Sequence, residues 1–246
     1  IRRVEKGDFA IVSHVVPICQ RWARCRVSGM SWSRNDQATG RRGYHHGNLR
    51  EALIRAALNL IAEKGPAGFT FADAARSAGV SSAAPYRHFR DRQALLADVA
   101  RRGFELFEER LNRAWNEGRP DPFLAFENVG RAYLAFAREE PPFYSAMFEA
   151  GLPFDGDPEL REAADRAFAV LRRAADAFCA RLPSDRRPPA LMMSLHLWAL
   201  AHGIASLFAR ADGGRRKLPM SPEELLEAGV LVYLRGLSLI GDPPKA

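Results

Sequence analysis

The cysteines and histidines of this sequence show no pattern that is typical of a metal site or a disulfide framework. The three cysteines, Cys19, Cys25 and Cys179, form no Cys-x-x-Cys pair and are odd in number, which indicates neither a zinc site nor a disulfide framework. His196 and His202 stand six residues apart, with no acidic partner close by in the sequence. We therefore expect no metal, no cofactor and a reducing, cytoplasmic environment.

Catalytic motifs are also missing from the chain. It contains no glycine-rich phosphate loop, no His-Glu-x-x-His run and no nucleophile elbow, which argues against an enzyme. The charge distribution instead indicates a binding partner. Residues 1–50 carry ten Lys and Arg against three Asp and Glu, whereas the rest of the chain carries 26 of each. A basic excess confined to the N-terminal end favours a polyanion.

One apolar stretch raises the alternative of a helical membrane protein. Residues 188–209 contain no Asp, Glu, Lys or Arg and are long enough to cross a bilayer. Two histidines, two serines, two opening prolines and a negative mean hydropathy of the whole chain argue against a span. A helix that is apolar on all sides is also what a subunit interface needs, so we expect no membrane contact.

The N-terminal residues 1–40 show no sustained apolar period and are rich in Arg, Ser and Gly, so we expect a poorly ordered basic extension. Residues 9–19 resemble the apolar part of a signal peptide, but His14 and Pro17 interrupt them, and secretion is not expected. Met30 offers an alternative start of the native protein. A start there would leave a short basic arm before the first helix.

The elements that follow have the apolar spacing of amphipathic helices. The first begins near Leu49 and is expected to end at Lys64, a cation in the last turn. Gly65 can then take the left-handed conformation, and Pro66 prevents the helix from continuing. Its apolar stripe consists of Leu49, Leu53, Ala56, Ala57, Leu60 and Ile61.

A second helix is predicted to begin at Thr70, because Asp73 three residues later completes a variant of the capping box. It ends at Gly79. The small residue Ala75, four positions before this glycine, lets two helices cross closely at the turn. This spacing is typical of a helix-turn-helix, although many ordinary pairs of core helices share it.

A third, short helix is expected from about Ser82 to Phe89. With Ser82 as the N-cap, Pro85 falls in the first turn, where its missing N–H has no helical partner to lose. Asp91 caps a fourth helix, whose apolar residues continue as far as Phe107.

The remaining residues are predicted to be helical as well. Their breaks delimit helices of about 15 to 28 residues. The last helix begins at Ser221, with Pro222 at its first position and Glu224 as the capping-box acid. We find no alternating strand pattern and no internal repeat, so the predicted fold class is all-α. The breaks lie at residues 118–122, 141–142, 151–158, 183–189 and 213–222.

The run from Gly79 to Leu96, GVSSAAPYRHFRDRQALL, resembles the signature of the TetR family of transcriptional regulators. The resemblance lies in the Val-Ser turn, the aromatic pair that ends the recognition helix, and the basic residue that opens the next helix before Leu. It extends over about residues 43–107. It implies an N-terminal three-helix helix-turn-helix DNA-binding domain, residues 41–96, joined to a helical ligand-binding and dimerisation domain, residues 97–241.

The resemblance also implies roles for individual residues. Those expected at base edges, or in the turn before them, are Ser81, Ser82, Ala83 and Ala84. Those expected to hold phosphates are Thr70, Tyr86, His88 and Arg92. Phe89 is expected in the core, and Arg41 and Arg42 are expected to enter the minor groove. Two alternatives stay open: Tyr86 and His88 pack under the following helix, and Arg41 and Arg42 are solvated tail charges. Pro85 and Ala83 depart from the commonest family pattern, which bears on base preference.

A dense set of aromatic and thioether side chains in residues 97–241 suits a ligand cavity, although such a stripe is more often plain core. Residues 198–203 resemble the Trp-x-x-x-His-Gly motif of one TetR subgroup. Trp198 and His202 lie on one helical face, where they either line a pocket or buttress it, His202 being then a satisfied core histidine. The candidate effector residues are Phe104, Phe107, Tyr133, Phe136, Tyr144, Met147, Trp198 and His202.

The resemblance implies a two-state mechanism. Helices at about 189–211 and 222–239 are expected to form a homodimer, in which Gly203 and Ala205 allow close approach of the partner helix. The dimer would bind a pseudo-palindromic operator in double-stranded DNA and block transcription. A small apolar effector of unknown identity would favour a splayed state and release the DNA.

Overall fold

The computed structural model describes residues 49–209 and 219–237. These residues form eight α-helices linked by turns and short 3₁₀ segments, with no strand among them, which confirms the predicted all-α class. The expectations for Arg41, Arg42, Met30 and the basic extension concern residues outside this part of the chain. The helices are α1 Leu49–Lys64, α2 Phe71–Ser77, α3 Arg92–Trp115, α4 Pro122–Glu139, α5 Pro141–Phe148, α6 Pro158–Ala180, α7 Ala190–Ala209 and α8 Pro222–Gly236.

Residues 45–231 form one compact unit, which contains α1 to α7 and most of α8. The end of α8, from residue 232, and Leu237 belong to a second unit, and the remaining residues of that unit lie outside the described part. Helix α3 runs without a break through residues 96 and 97, where the sequence predicts a domain boundary. That boundary stays a prediction.

Helix α3 is the centre of the larger unit. It contacts α1, α4, α5 and α6, and its buried face includes Leu95, Leu96, Val99 and Phe107. Gly103 brings α5 close, because a Cβ at this position would lie 2.7 Å from Sδ of Met147. The core therefore connects the first helices of the chain to the aromatic residues of α4 and α5.

The helix termini follow the predicted local signals. Gly65 has φ +74° after the last residue of α1, and Gly79 has the same φ after α2. The N–H of Asp73 donates to Oγ1 of Thr70 at 3.1 Å, and the N–H of Thr70 donates to Oδ2 of Asp73 at 2.9 Å. Oδ1 of Asp91 accepts from the N–H of Ala94 at 2.8 Å. The same reciprocal bonding of Ser221 and Glu224 begins α8.

The prediction of a helix from Ser82 to Phe89 is wrong in type and length. The structure has a 3₁₀ segment, Ala84–Arg87, whose N-cap is Ala83 and not Ser82. Pro85 explains the difference, because it has no N–H to bond the carbonyl of Ser81 and disfavours the α conformation of the residue before it. The N–H groups of His88 and Phe89 both bond the carbonyl of Pro85, at 2.9 and 3.0 Å.

Two later helices also bear on the predictions. The eight residues of α5 fall short of the predicted 15 to 28, because prolines open the helix and Gly151, with φ +63°, follows soon after it. Within α7, residues 190–208 form the one described stretch that is long and apolar enough to cross a membrane. In the fold, α7 packs against α4 and α6.

Candidate functional site

The turn between α2 and the 3₁₀ segment has the geometry of a helix-turn-helix. Ala74 and Ala75 are fully buried, so α2 lies close to its neighbours. After Gly79 the chain turns back, and the N–H of Val80 donates to the carbonyl of Ala75 at 3.0 Å. Because Val80 is half-buried, it fixes the direction in which the next residues leave the turn.

The residues predicted to face base edges lie together on the surface after this turn. Ser81, Ser82 and Ala83 are exposed, and Ala84 is half-buried. Pro85 is buried beneath them and anchors the segment. Small exposed side chains on an anchored backbone allow another molecule to approach the main chain closely.

Tyr86 and His88 stand on the same exposed segment. The Tyr86 side chain is 64% exposed, and its ring meets the edge of Phe71 with 5.0 Å between centroids. His88 is exposed as well, so neither residue packs beneath α3 as the alternative interpretation required. Phe89 is buried, as predicted, with the guanidinium of Arg50 over its ring at 5.4 Å.

Arg92 lies in a different environment from Tyr86 and His88. Its Nη2 donates to the carbonyl of Pro66, and its guanidinium carbon lies 4.8 Å from the centre of the Phe69 ring. Its Nε is buried and has no hydrogen-bond partner within the described residues. The structure therefore holds Arg92 against the turn between α1 and α2, and its phosphate contact stays a prediction.

Thr70 is also engaged within the protein. Its hydroxyl donates to Oδ2 of Asp73 at 2.7 Å and accepts from the N–H of Asp73. Hydrogen bonds from the Thr70 side chain and backbone lower the pKa of Asp73, so this carboxylate stays ionised at the start of α2. The hydroxyl proton of Thr70 is thus already donated to Asp73. To donate it to a phosphate, as predicted, Thr70 would have to give up this hydrogen bond.

Three exposed arginines beside the turn were missed by the sequence analysis. Arg90 is 85% exposed and pairs with Asp91, and Arg76 pairs with Asp73 at 3.2 Å. Arg87 is exposed and forms no ion pair within the described part of the chain. Their position inside or near the run from Gly79 to Leu96 was the available signal, because in DNA-binding proteins in general the segment that reads bases is flanked by cations that contact phosphates.

An ionic cluster fixes α1 to α3. The carboxylate of Asp98 on α3 is 6% exposed, yet it accepts from Arg50 of α1 at 3.1 Å and from Arg101 at 2.7 Å. Arg102 lies 3.5 Å from the same carboxylate and also bonds Glu51 of α1. Burial raises the pKa of Asp98, but the hydrogen bonds from Arg101 and Arg50 outweigh it and lower the pKa.

The candidate effector residues come together in the core around α3, α4, α5 and α7. The Phe107 ring lies 5.0 Å from Tyr133 and 4.9 Å from Phe136, between ring centres. Phe104 meets Phe148, which sequence reasoning missed, at 5.6 Å. Six of the eight predicted residues are buried, while His202 is half-buried and Trp198 is 36% exposed. The six are Phe104, Phe107, Tyr133, Phe136, Tyr144 and Met147.

His202 joins two tyrosines into one hydrogen-bonded cluster. Its Nδ1 lies 3.0 Å from the hydroxyl of Tyr133 and 2.9 Å from that of Tyr144. The hydroxyl of Tyr144 also lies 3.5 Å from Oγ of Ser206, and the Trp198 ring lies 6.1 Å from the His202 ring, between ring centres. Burial lowers the pKa of His202, so the imidazole is neutral at pH 7 and can accept at Nδ1. His202 therefore bonds both Tyr133 and Tyr144, and the choice between lining a pocket and buttressing it stays open for Trp198 and His202.

The described residues contain no cluster of three or more His, Cys, Asp or Glu side chains that could hold a metal ion. Cys179 is buried as a free thiol, with its Sγ 3.8 Å from Sδ of Met193, and burial raises the pKa of this thiol. The other two cysteines lie outside the described part.

Two protein-family models match the chain. Residues 53–99 match the family described as bacterial regulatory proteins, tetR family, and residues 126–233 match the tetracyclin repressor-like C-terminal domain. The first range holds the helix-turn-helix, and the second holds Tyr133, Tyr144 and His202.

Individual relatives agree with these matches. An HTH-type transcriptional regulator from Pseudomonas putida, CymR, is 32% identical over 114 residues, which are 46% of this chain and 55% of that regulator. The match thus spans about half the length of this curated relative. A structure of a protein with unknown function from Rhodococcus sp. RHA1 is 31% identical with a TM-score of 0.64, covering 80% of this chain and 98% of that one.

A further solved structure shares the fold at lower sequence identity. The TetR family transcriptional regulator PfmR from Thermus thermophilus has a TM-score of 0.55 and 21% identity, over 74% of this chain and 97% of that one.

Proposed function

We propose a function from one premise: the chain belongs to the TetR family of bacterial regulatory proteins. We infer that it is a sequence-specific DNA-binding regulator, a homodimer that represses transcription in the cytoplasm and leaves its operator when a small effector binds. The observation that carries this proposal is the segment Ser81 to His88, in which exposed residues stand on both sides of the buried Pro85 and the buried Phe89 follows directly.

DNA binding is supported by what this segment presents. Ser82 and Ala83 are small and exposed, so the main chain can come close to base edges in the major groove. Tyr86 and His88 flank them with side chains that reach phosphate oxygens, and Arg87 adds an exposed cation. We expect Ser82 and Ala83 to determine which DNA sequence is preferred. Arg87 is expected to contribute the part of the affinity that depends on salt.

Dimerisation is supported by an unpaired apolar stripe on α7. The stripe consists of residues that recur every four positions and are exposed to solvent: Leu191, Leu195, Ala199, Gly203 and Leu207. A Cβ built on Gly203 would meet nothing within 4 Å, so this position has room for a partner helix. Burying the stripe against its copy gives a two-fold dimer, whose recognition segments would lie about 34 to 36 Å apart, one turn of DNA.

Effector control is supported by the aromatic cluster around Tyr133, Tyr144 and His202. Aromatic walls with a few convergent polar groups suit a small, mostly apolar molecule. Its binding would act on α3, which contacts α5 at Gly103 and is tied to α1 by Asp98. A ligand that prefers one packing of these helices would shift the recognition segments of the dimer.

The test is selection of bound duplexes from a random DNA pool by the purified protein, followed by a salt titration on the selected duplex. We expect a pseudo-palindromic sequence and a steep loss of affinity with salt. A variant with Ser82→Glu and Ala83→Glu, both on the exposed segment, should select nothing while keeping its helical content. If the unmodified protein, also after refolding without ligand, enriches no duplex, the proposed function is wrong.

A further inference from the structure

We propose that Arg92 is a positioning residue: it holds the turn that precedes α2 against the start of α3. The proposal rests on the proposed function, because the positioned element belongs to the DNA-binding unit. It gives Arg92 a role beyond the phosphate contact that the sequence resemblance implies for this residue.

The contacts of Arg92 all lie inside the protein. Arg92 is the first residue of α3, and its guanidinium donates to the carbonyl of Pro66, in the turn between α1 and α2. The same group lies over the ring of Phe69 at 4.8 Å, and Phe69 is 3% exposed. Phe69 directly precedes Thr70, the N-cap of α2. One side chain thus joins the start of α3 to the turn before α2 and to the residue before the α2 cap.

This geometry uses the features that distinguish arginine from lysine. A planar guanidinium can stack on an aromatic ring and donate in its own plane at the same time, whereas an ammonium is a compact, strongly hydrated charge. The carbonyl of Pro66 takes one N–H of the guanidinium, and the side chain is held by this carbonyl and the Phe69 ring, not by an ion pair within the described residues. A cation at the first residue of α3 also faces the positive end of the helix dipole, so helix stability does not explain it.

The exposed arginines nearby provide a matched control. Arg87 is solvent-exposed and forms no ion pair within the described residues, so it can reach a phosphate without breaking a contact seen in the structure. A phosphate contact tolerates lysine, which binds phosphate as a point charge, whereas the Arg92 arrangement does not. The substitution Arg→Lys, made separately at Arg92 and Arg87, therefore separates the two roles while the net charge stays constant.

The first measurement is affinity for the duplex selected by the unmodified protein, between about 50 and 200 mM salt. We expect Arg92→Lys to weaken binding roughly tenfold, equal to about 1.4 kcal/mol, with the salt slope unchanged. Arg87→Lys should keep both the affinity and the slope. All measurements are made well below the melting temperature, so a purely global loss of stability would leave the affinity unchanged.

The second measurement needs no DNA. Hydrogen–deuterium exchange should be faster in residues 65–77 of Arg92→Lys and Arg92→Leu than in the unmodified protein, and unchanged in Arg87→Lys. Two results would overturn the proposal: full affinity of Arg92→Lys for the selected duplex, or unchanged exchange in residues 65–77 of both Arg92 variants. If the unmodified protein selects no duplex, the proposed function fails, and the exchange measurement alone decides whether Arg92 positions the turn.

Discussion

Replacing the buried carboxylate of Asp98 tests the ionic link between α1 and α3. In Asp98→Asn the side chain keeps its shape, but the cluster of Arg50, Arg101 and Arg102 loses its shared negative charge, and the new Nδ2 donates where an acceptor is needed. Removing one member of a buried ion pair costs about 3 to 5 kcal/mol. The three arginine side chains are between 22% and 52% exposed, so water screens part of this loss.

We therefore expect Asp98→Asn to lower the free energy of unfolding by about 2 to 3 kcal/mol, or the melting temperature by roughly 5 to 10 °C. Urea unfolding followed by circular dichroism at pH 7 measures this, at one fixed protein concentration because dimer formation adds to apparent stability. Glu109→Gln is the control. Glu109 also lies on α3 and pairs with Arg113, but both side chains are largely exposed, so its loss should stay within about 0.5 kcal/mol.

The pH dependence provides a second check on Asp98. Its pKa is lower in the folded protein than in the unfolded chain, so its contribution is complete above about pH 4 and is lost as the pH falls through the folded pKa. The difference in stability between the unmodified protein and Asp98→Asn should thus be constant near neutrality and shrink on acidification. A difference as small as that of Glu109→Gln at pH 7 would refute the reasoning from burial.

Three further predictions concern other parts of the described structure. Gly103→Ala should destabilise the fold by about 1 to 3 kcal/mol in urea unfolding, because the new Cβ meets Met147. Gly203→Ala meets nothing and should instead stabilise the monomer by about 0.5 to 1 kcal/mol, because alanine favours the helix over glycine. Burial lowers the pKa of His202, so the free energy of unfolding should fall as the pH drops below about 6.5. His202→Gln should remove this part of the acid sensitivity, and equal pH profiles of the two proteins would contradict the prediction. Thr70→Val should lower the free energy of unfolding by about 1 kcal/mol in the same assay, because the side-chain cap of α2 is lost. An unchanged free energy of unfolding would mean that water replaces this cap and would contradict the prediction.

The sequence was sufficient wherever the deciding interaction is local. The caps at Thr70, Asp91 and Ser221 join residues three positions apart, so their patterns predicted where α2, α3 and α8 begin. Apolar periodicity likewise predicted the all-α class, because one buried face is enough to define a helix. The 3₁₀ segment around Pro85 was missed although it is local, since the restriction that proline places on the preceding residue was underweighted.

Two groups of residues named from the sequence also lie together in the structure, although the roles of their individual members stay predictions. Ser81, Ser82, Ala83, Tyr86 and His88 are exposed on one segment, whereas Pro85 within it is buried. Arg87 was overlooked because exposure depends on how the turn is anchored, and Phe148 because its contact with Phe104 joins two separate helices.

Only the tertiary structure decided the pairings between distant residues. Arg92 reaches Pro66 across 26 positions, Arg50 reaches Asp98 across 48, and His202 reaches Tyr133 across 69. The residue type determines whether a side chain can donate or accept a hydrogen bond. Its partner depends on which helices pack together and on how each helix is rotated about its axis. That packing depends on the burial of the whole core around α3, a property that no short stretch of sequence contains.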